Sequence, residues 1–151
     1  MGMEVLVFDP AAVFVGMSAF GPLPQRFQDS PIDFDKGPFA GDVLVIDGEG
    51  DVSRALVGEI MSSVARKRGT VAFVVDGAVR DADSFETHRF PCWARGVNLR
   101  GPYKDGPGSI NVPVVVGGMR VNPGDIMLCD GDGVVAIPPS MATEVAANGQ
   151  V

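Results

Sequence analysis

A single α/β domain built round parallel strands is what this sequence predicts, and three observations carry the prediction. Val43-Leu44-Val45-Ile46-Asp47 and Val71-Ala72-Phe73-Val74-Val75-Asp76 are continuous apolar runs of strand length, as expected of strands buried on both faces. Between them, Ile60, Met61, Val64 and Ala65 recur at helical spacing and Gly69 follows. The chain has 151 residues with 46% hydrophobic content, within the range of one domain and enough for a sizeable core.

The elements follow in order. Met3–Phe8 reads as a short strand, and Pro10 to Gly41 as loop and irregular strand, because Pro22, Pro24, Pro31 and Pro38 oppose any long helix. Within that stretch Ala11–Ala19 is read as a second strand. From Gly41 the pattern sharpens into strand, turn at Gly48–Asp51, a helix beginning between Ser53 and Gly58, and strand again. Such a unit makes two neighbouring parallel strands with a right-handed crossover. Beyond Asp81 come short strands at about Cys92–Asn98, Asn111–Val116, Met119–Val121, Ile126–Cys129 and Val134–Ile137. Gly117-Gly118 suits a two-residue hairpin and Asp130–Gly133 a tight turn, with Ser140 as the expected cap of a short last helix.

Composition narrows the function. A formal charge of −7 opposes nucleic-acid binding, which needs a clustered basic surface. The one dense basic run, Arg66-Lys67-Arg68, ends the predicted helix, where cations complement the helix dipole. Apolar runs such as Val112–Val116 are too short to span a bilayer and the N-terminus lacks a signal-peptide pattern, so a cytoplasmic protein is expected. Cys92 and Cys129 have no metal or disulfide spacing and are expected to be reduced and buried.

Ligands of open α/β sheets bind where strand ends feed helix N-termini. Two such ends stand out: Asp47–Asp51 leading to Gly58-Glu59-Ile60-Met61, and Asp76–Asp81, which ends in Arg80-Asp81. If the two strands are neighbours, both loops open on one edge and Glu59 approaches Arg80 and Asp81. A guanidinium, carboxylates and free amides in one pocket suit a 2-oxo acid: Arg grips a carboxylate, and a hard cation such as Mg²⁺ takes carboxylate and water oxygens. Cation and Arg together would stabilise an enolate. The alternative is an ordinary ion pair in a surface turn.

Gly58-Glu59, then twenty residues, then Arg80-Asp81, set between GDVLVIDGEGD and VVDGAVRD, resembles the RraA-like family, which includes class II pyruvate aldolases. FPCWARGVNLRGPYKDGPGSINVPVVVGG and VNPGDIMLCDGDGVVAIP extend the resemblance over roughly Gly41 to Pro138. It implies one domain of the swivelling β/β/α type, with residues 1–40 irregular and 41–138 carrying the motif. It also implies a homotrimer or dimer of trimers with active sites at subunit boundaries. Two functions coexist in that family. One is a Mg²⁺- or Mn²⁺-dependent aldolase or decarboxylase of 4-hydroxy-4-methyl-2-oxoglutarate, 4-carboxy-4-hydroxy-2-oxoadipate or oxaloacetate. The other is a protein-binding regulator of ribonuclease E. By the aldolase pattern Glu59 holds metal-bound water, Arg80 binds substrate, Asp81 ligates the metal, and Gly58 with the amides of Ile60 and Met61 receives the pyruvyl group. The chain departs from that pattern in lacking the usual N-terminal helical segment and longer C-terminal extension, and its length is nearer to the regulators. Methyltransferase, an older name in this family, finds no support: Gly48-Glu49-Gly50 is a short glycine pair flanked by Asp47 and Asp51, which repel an anionic cofactor.

Other residues read as structural. His88 is expected in an exposed helix or loop, and Asp125, Asp130 and Asp132 lack calcium-loop spacing. Trp93 and Tyr103 are expected in core or interface, and Arg95 and Arg100 in interface ion pairs.

Overall fold

A computed structural model describes residues 17–20, 41–103 and 108–149. The expected strand Met3–Phe8 lies outside them. The strand expected at Ala11–Ala19 falls partly among them, as β1 (Met17–Phe20).

The centre is a five-stranded sheet whose pairings are all parallel, organised by β4 (Ala72–Val79), every residue of which is buried. On one edge of β4, β2 (Val43–Asp47) pairs from Val43↔Ala72 to Asp47↔Asp76, and β1 pairs beyond it. At Asp76-Gly77 the register breaks. A short β3 (Ala55–Val57) takes over the same edge, with Ala55↔Ala78 and Val57↔Val79. The other edge pairs with β5 (Cys92–Val97).

Period-two alternation divides the core. Leu44, Ile46, Phe73 and Val75 point to one face, where they meet Ala65 of α1 (Glu59–Lys67) and Phe85 of α2 (Ala82–Thr87). Phe73, Phe85 and Phe90 pack together there, Phe73 and Phe90 edge to face at 4.9 Å. Val43, Val45, Ala72 and Val74 point the other way, on to two antiparallel hairpins. One pairs β6 (Val114–Val116) with β7 (Met119–Val121), and the other β8 (Ile126–Cys129) with β9 (Val134–Ile137). Trp93 is fully buried among them and donates its indole N–H to the Asp130 carbonyl at 2.9 Å. The result is three layers, hairpins on a parallel sheet on helices, as the β/β/α expectation requires.

Gly117 and Gly118 turn the first hairpin at φ of 59° and 83°, both positive, which a type I′ turn demands. Asp130 closes the second: its Oδ1 accepts from the amides of Asp132 and Gly133. Arg66 and Lys67 fall in the last turn of α1, as expected, and Arg66 reaches the His88 carbonyl at 2.9 Å.

Several expectations are corrected. The first helix does not start within 53–57: Ala55-Leu56-Val57 is a strand, because β4 outruns β2 and its last residues need a partner. Ile60 is 63% exposed; Ser62 and Ala65 are the buried positions of α1. Residues 82–87 form a helix, and His88 is its half-buried C-cap rather than a solvated side chain. Ser140 caps nothing: it lies in a 3₁₀ turn, Pro139–Met141, ahead of α3 (Ala142–Asn148). Arg95 pairs within the chain, its Nε on Asp76 Oδ1, while Oδ2 accepts from the Gly117 amide at 2.9 Å.

Asp76 is nearly fully buried and Arg95 about a quarter exposed. Removing the cation leaves a buried carboxylate without its charge partner, so Arg95→Met is expected to cost about 1.5–3 kcal/mol, the range for hydrogen bonds to charged groups; urea unfolding measures it. Burial holds the Cys129 thiol up at about 12 and pushes Cys92 up as well. Both thiols should therefore resist a disulfide reagent at pH 8 until urea unfolds the chain. Because the unfolded thiols ionise first, stability should fall as pH rises past about 8.5, which a melting series across pH reads.

Candidate active site

The chemistry-bearing residues gather where β3 and β4 end. Arg80 continues β4 and its amide donates to the Val57 carbonyl at 2.9 Å, which draws the end of β4 alongside the start of α1. Asp81 follows with φ 55° and ψ 42°, a left-handed conformation that Asp tolerates better than most residues. It stands at the N-cap position of α2, where an Asp side chain ordinarily bonds an amide of its own helix. Here it makes no such bond. Its Oδ2 instead accepts from the Glu59 amide, the first of α1, at 3.1 Å, and lies 3.5 Å from Arg80 Nε.

Gly58, the N-cap of α1, makes this contact possible. A Cβ there would stand 2.6 Å from both Arg80 Cγ and Asp81 Oδ2, closer than any side chain permits. Ser62 donates the first bond of the helix, to the Gly58 carbonyl at 3.0 Å. The amides of Ile60 and Met61 precede it and have no partner within α1. Arg80 and Asp81 are each about two-fifths exposed, and Glu59 and Ile60 face solvent, so the cluster opens outward.

Two loops brace it. Gly48 and Gly50 donate to the Asp76 carbonyl at 3.1 and 2.9 Å, closing the turn after β2 over the register break of β4. Asp47 Oδ1 accepts from the Glu49 amide at 2.9 Å. From the far side comes the segment after β5: Asn98 donates to the carbonyls of Val52 and Ser53, both at 3.0 Å, and Ala55 to that of Arg100 at 2.7 Å. Gly101 then lies beside Arg80, whose Nη1 is 3.5 Å from the place of a Gly101 Cβ.

All the residues singled out in the sequence, Gly58, Glu59, Ile60, Met61, Arg80 and Asp81, thus meet at one edge. The two loops do open together. Sequence reasoning missed Arg54, whose Nη1 donates to the Gly101 carbonyl at 3.0 Å and whose guanidinium lies over the Tyr103 ring at 4.0 Å. No motif marked it, because its neighbours come from 47 residues away.

Among the described residues no three His, Cys, Asp or Glu side chains gather closely enough to hold a metal. A tetrahedral zinc centre, which needs at least three protein ligands, is not what these residues offer. One carboxylate beside open solvent fits a cation that keeps most of its water, as Mg²⁺ does. Asp81 has spare capacity for it, since a carboxylate offers about four lone-pair positions and two contacts use Oδ2.

Comparisons with known proteins bear on the family and the fold. A protein from Halalkalibacterium halodurans, provisionally named a 4-hydroxy-4-methyl-2-oxoglutarate aldolase, is 42% identical over 105 residues, which are 70% of this chain and 50% of that protein. The chain therefore spans about half the length of this curated relative. The RNA-processing inhibitor RraA from Thermus thermophilis superposes with a TM-score of 0.76 at 29% identity, covering 91% of this chain and 84% of that one. Streptomyces coelicolor RraAS2, of the RNase ES inhibitor RraA protein family, gives 0.81 at 27% identity, covering 97% and 77%. The family model described as RraA-like, Aldolase/RraA, matches residues 36–136. With that match running from before β2 to the last strand and including the whole cluster round Arg80, the chain belongs to the RraA-like family.

Proposed function

We propose that the protein is a divalent-metal-dependent lyase that cleaves 2-oxo acids, such as 4-hydroxy-4-methyl-2-oxoglutarate or oxaloacetate, through a pyruvate enolate. The observation that carries this reading is the diversion of Asp81 from its own helix to the N-terminus of α1, next to Arg80. A carboxylate, a guanidinium and two spare amides then face one open space.

Arg80 grips the substrate carboxylate with its planar fork. Gly58 leaves room for the oxo acid against α1, and the amides of Ile60 and Met61 hold the oxygen on which charge develops. Asp81 would hold Mg²⁺ or Mn²⁺, and a cation bound there would supply Lewis-acid stabilisation of the enolate. In the reaction the bond between C3 and C4 breaks and its electron pair remains with the pyruvyl fragment. From oxaloacetate the other fragment leaves as CO₂; from 4-hydroxy-4-methyl-2-oxoglutarate the C4 hydroxyl gives its proton to the water at Glu59 and the fragment leaves as a second pyruvate. Glu59, exposed at the mouth, positions a water that returns a proton to C3 and gives pyruvate. The working form in this reading is a homotrimer or a dimer of trimers. Val97 and Leu99, 55% and 87% exposed at the end of the edge strand β5, support a subunit boundary there.

A second reading is a protein-binding regulator of ribonuclease E or another partner, with the pocket kept by descent. The two similar solved proteins with inhibitor names, matched over more than nine-tenths of this chain, favour it.

Pyruvate release from oxaloacetate, measured with and without Mg²⁺ and corrected for the spontaneous metal-catalysed rate, separates the two. The lyase reading expects activity above background that falls at least about a hundredfold in Arg80→Ala, the scale of losing a positioned charge in the transition state. Activity no higher than background, with partner binding that survives Arg80→Ala, sinks it in favour of the regulator. Gly58→Ala drives a methyl group into Arg80 and Asp81, so it should lower the rate comparably while costing only about 1–3 kcal/mol of stability, the range for overpacking. Parallel rate assays and urea titrations read both.

A further inference from the structure

Arg54 has no part in the reaction as described, yet the fold holds it against the candidate site. The acid three residues before it is bonded to Ser53: Asp51 Oδ1 accepts from the Ser53 amide at 2.7 Å and Oδ2 from the Ser53 hydroxyl at 2.9 Å. Those bonds to Ser53 keep the Asp51 carboxyl below its ordinary value, with Arg54 a lesser cause. Among the described residues no carboxylate forms an ion pair with Arg54. Its guanidinium is instead laid on the Tyr103 ring and pinned through Nη1 to the Gly101 carbonyl, which fixes its plane while using one of five donors.

Gly101 is also the residue that Arg80 abuts. Two guanidinium groups therefore flank a single glycine, within about 10 Å of each other by standard backbone dimensions. The exposed Arg100 precedes that glycine in the chain, while Asp81 lies beside Arg80 and Asp51 near Arg54. Arg95, by contrast, is spent on Asp76. A chain of four to six carbons with a carboxylate at each end, and a charge-assisted hydrogen bond of about 2.8 Å at both, covers that span.

From this arrangement we infer that Arg54 is a specificity-determining residue that binds the distal carboxylate of a dicarboxylic 2-oxo acid, while Arg80 holds the oxo-acid end. The inference rests on the oxo-acid reading above, whose substrates carry two carboxylates, and assigns the second of them to Arg54. Tyr103 serves it as a platform that orients the guanidinium, and Gly101 as the spacer between the two cations.

Calorimetric titration at fixed Mg²⁺ with 2-oxoglutarate, which has two carboxylates, and with 2-oxobutyrate, which has one, tests it. The wild type is expected to bind 2-oxoglutarate about tenfold or more tightly than 2-oxobutyrate, the worth of one hydrogen bond to a charged group. Arg54→Gln should erase that preference by weakening 2-oxoglutarate alone, and Arg54→Lys, which keeps the charge, should restore part of it. Arg80→Ala should weaken both acids. Equal weakening of both acids by Arg54→Gln, or an unchanged preference, overturns the role of Arg54 and leaves the oxo-acid reading standing. A wild type that binds neither acid overturns the oxo-acid reading and this inference together.

Discussion

Strand β4 carries pairing on both edges, and the break in its register at Asp76-Gly77 governs what surrounds it. Up to Asp76 it runs beside β2; beyond it the edge passes to β3. The break is sealed on every side. Amides of Gly48 and Gly50 take the Asp76 carbonyl, Arg95 and the Gly117 amide take its carboxylate, and Leu56 fills the space that Gly48 and Gly77 leave bare. A carboxylate so deeply buried is tolerated only because both its oxygens are bonded. The same device ties the hairpin layer to the sheet, through Gly117, and sets the turn after β2.

Because β3 replaces β2, α1 begins beside the end of β4 rather than a full crossover away. Arg80 and Asp81 leave the sheet within reach of the first turn of α1, with Gly58 allowing contact closer than a side chain would. Asp81 breaks a local rule here. It sits where a residue caps its own helix, in a left-handed conformation, and bonds a different helix. Departures of this kind, held in place by their surroundings, concentrate at functional sites.

Surface character follows the same geometry. In a chain with a net charge of −7, Arg54, Arg80, Arg95 and Arg100 all lie near this one edge, and only Arg95 is fully committed to a buried partner. Six acids, Asp47, Glu49, Asp51, Glu59, Asp76 and Asp81, share that edge, so the arginines alternate with carboxylates rather than forming a positive patch. No helix among the described residues is long and apolar enough to cross a membrane.

Much of this was legible in the sequence by itself. Two continuous apolar runs predicted a parallel sheet buried on both faces, the glycine pair at Gly117-Gly118 a hairpin, and the loops that follow the two runs a candidate site at the ends of neighbouring strands. These are properties of periodicity and local conformation, which short stretches of chain carry unaided. Tertiary structure decided the rest. Ala55-Leu56-Val57 is a strand only because β4 offers it a free edge, Ile60 is exposed only because the sheet presents its helix-facing side to Ser62 and Ala65, and Arg95 finds its acid 19 residues back. Asp81 reads as the cap of α2 until the fold brings a second helix N-terminus nearer, and Arg54 is one arginine among twelve basic residues until Gly101 and Tyr103 close on it from 47 and more residues away. Contacts at such separations depend on how layers pack, and no local pattern encodes them.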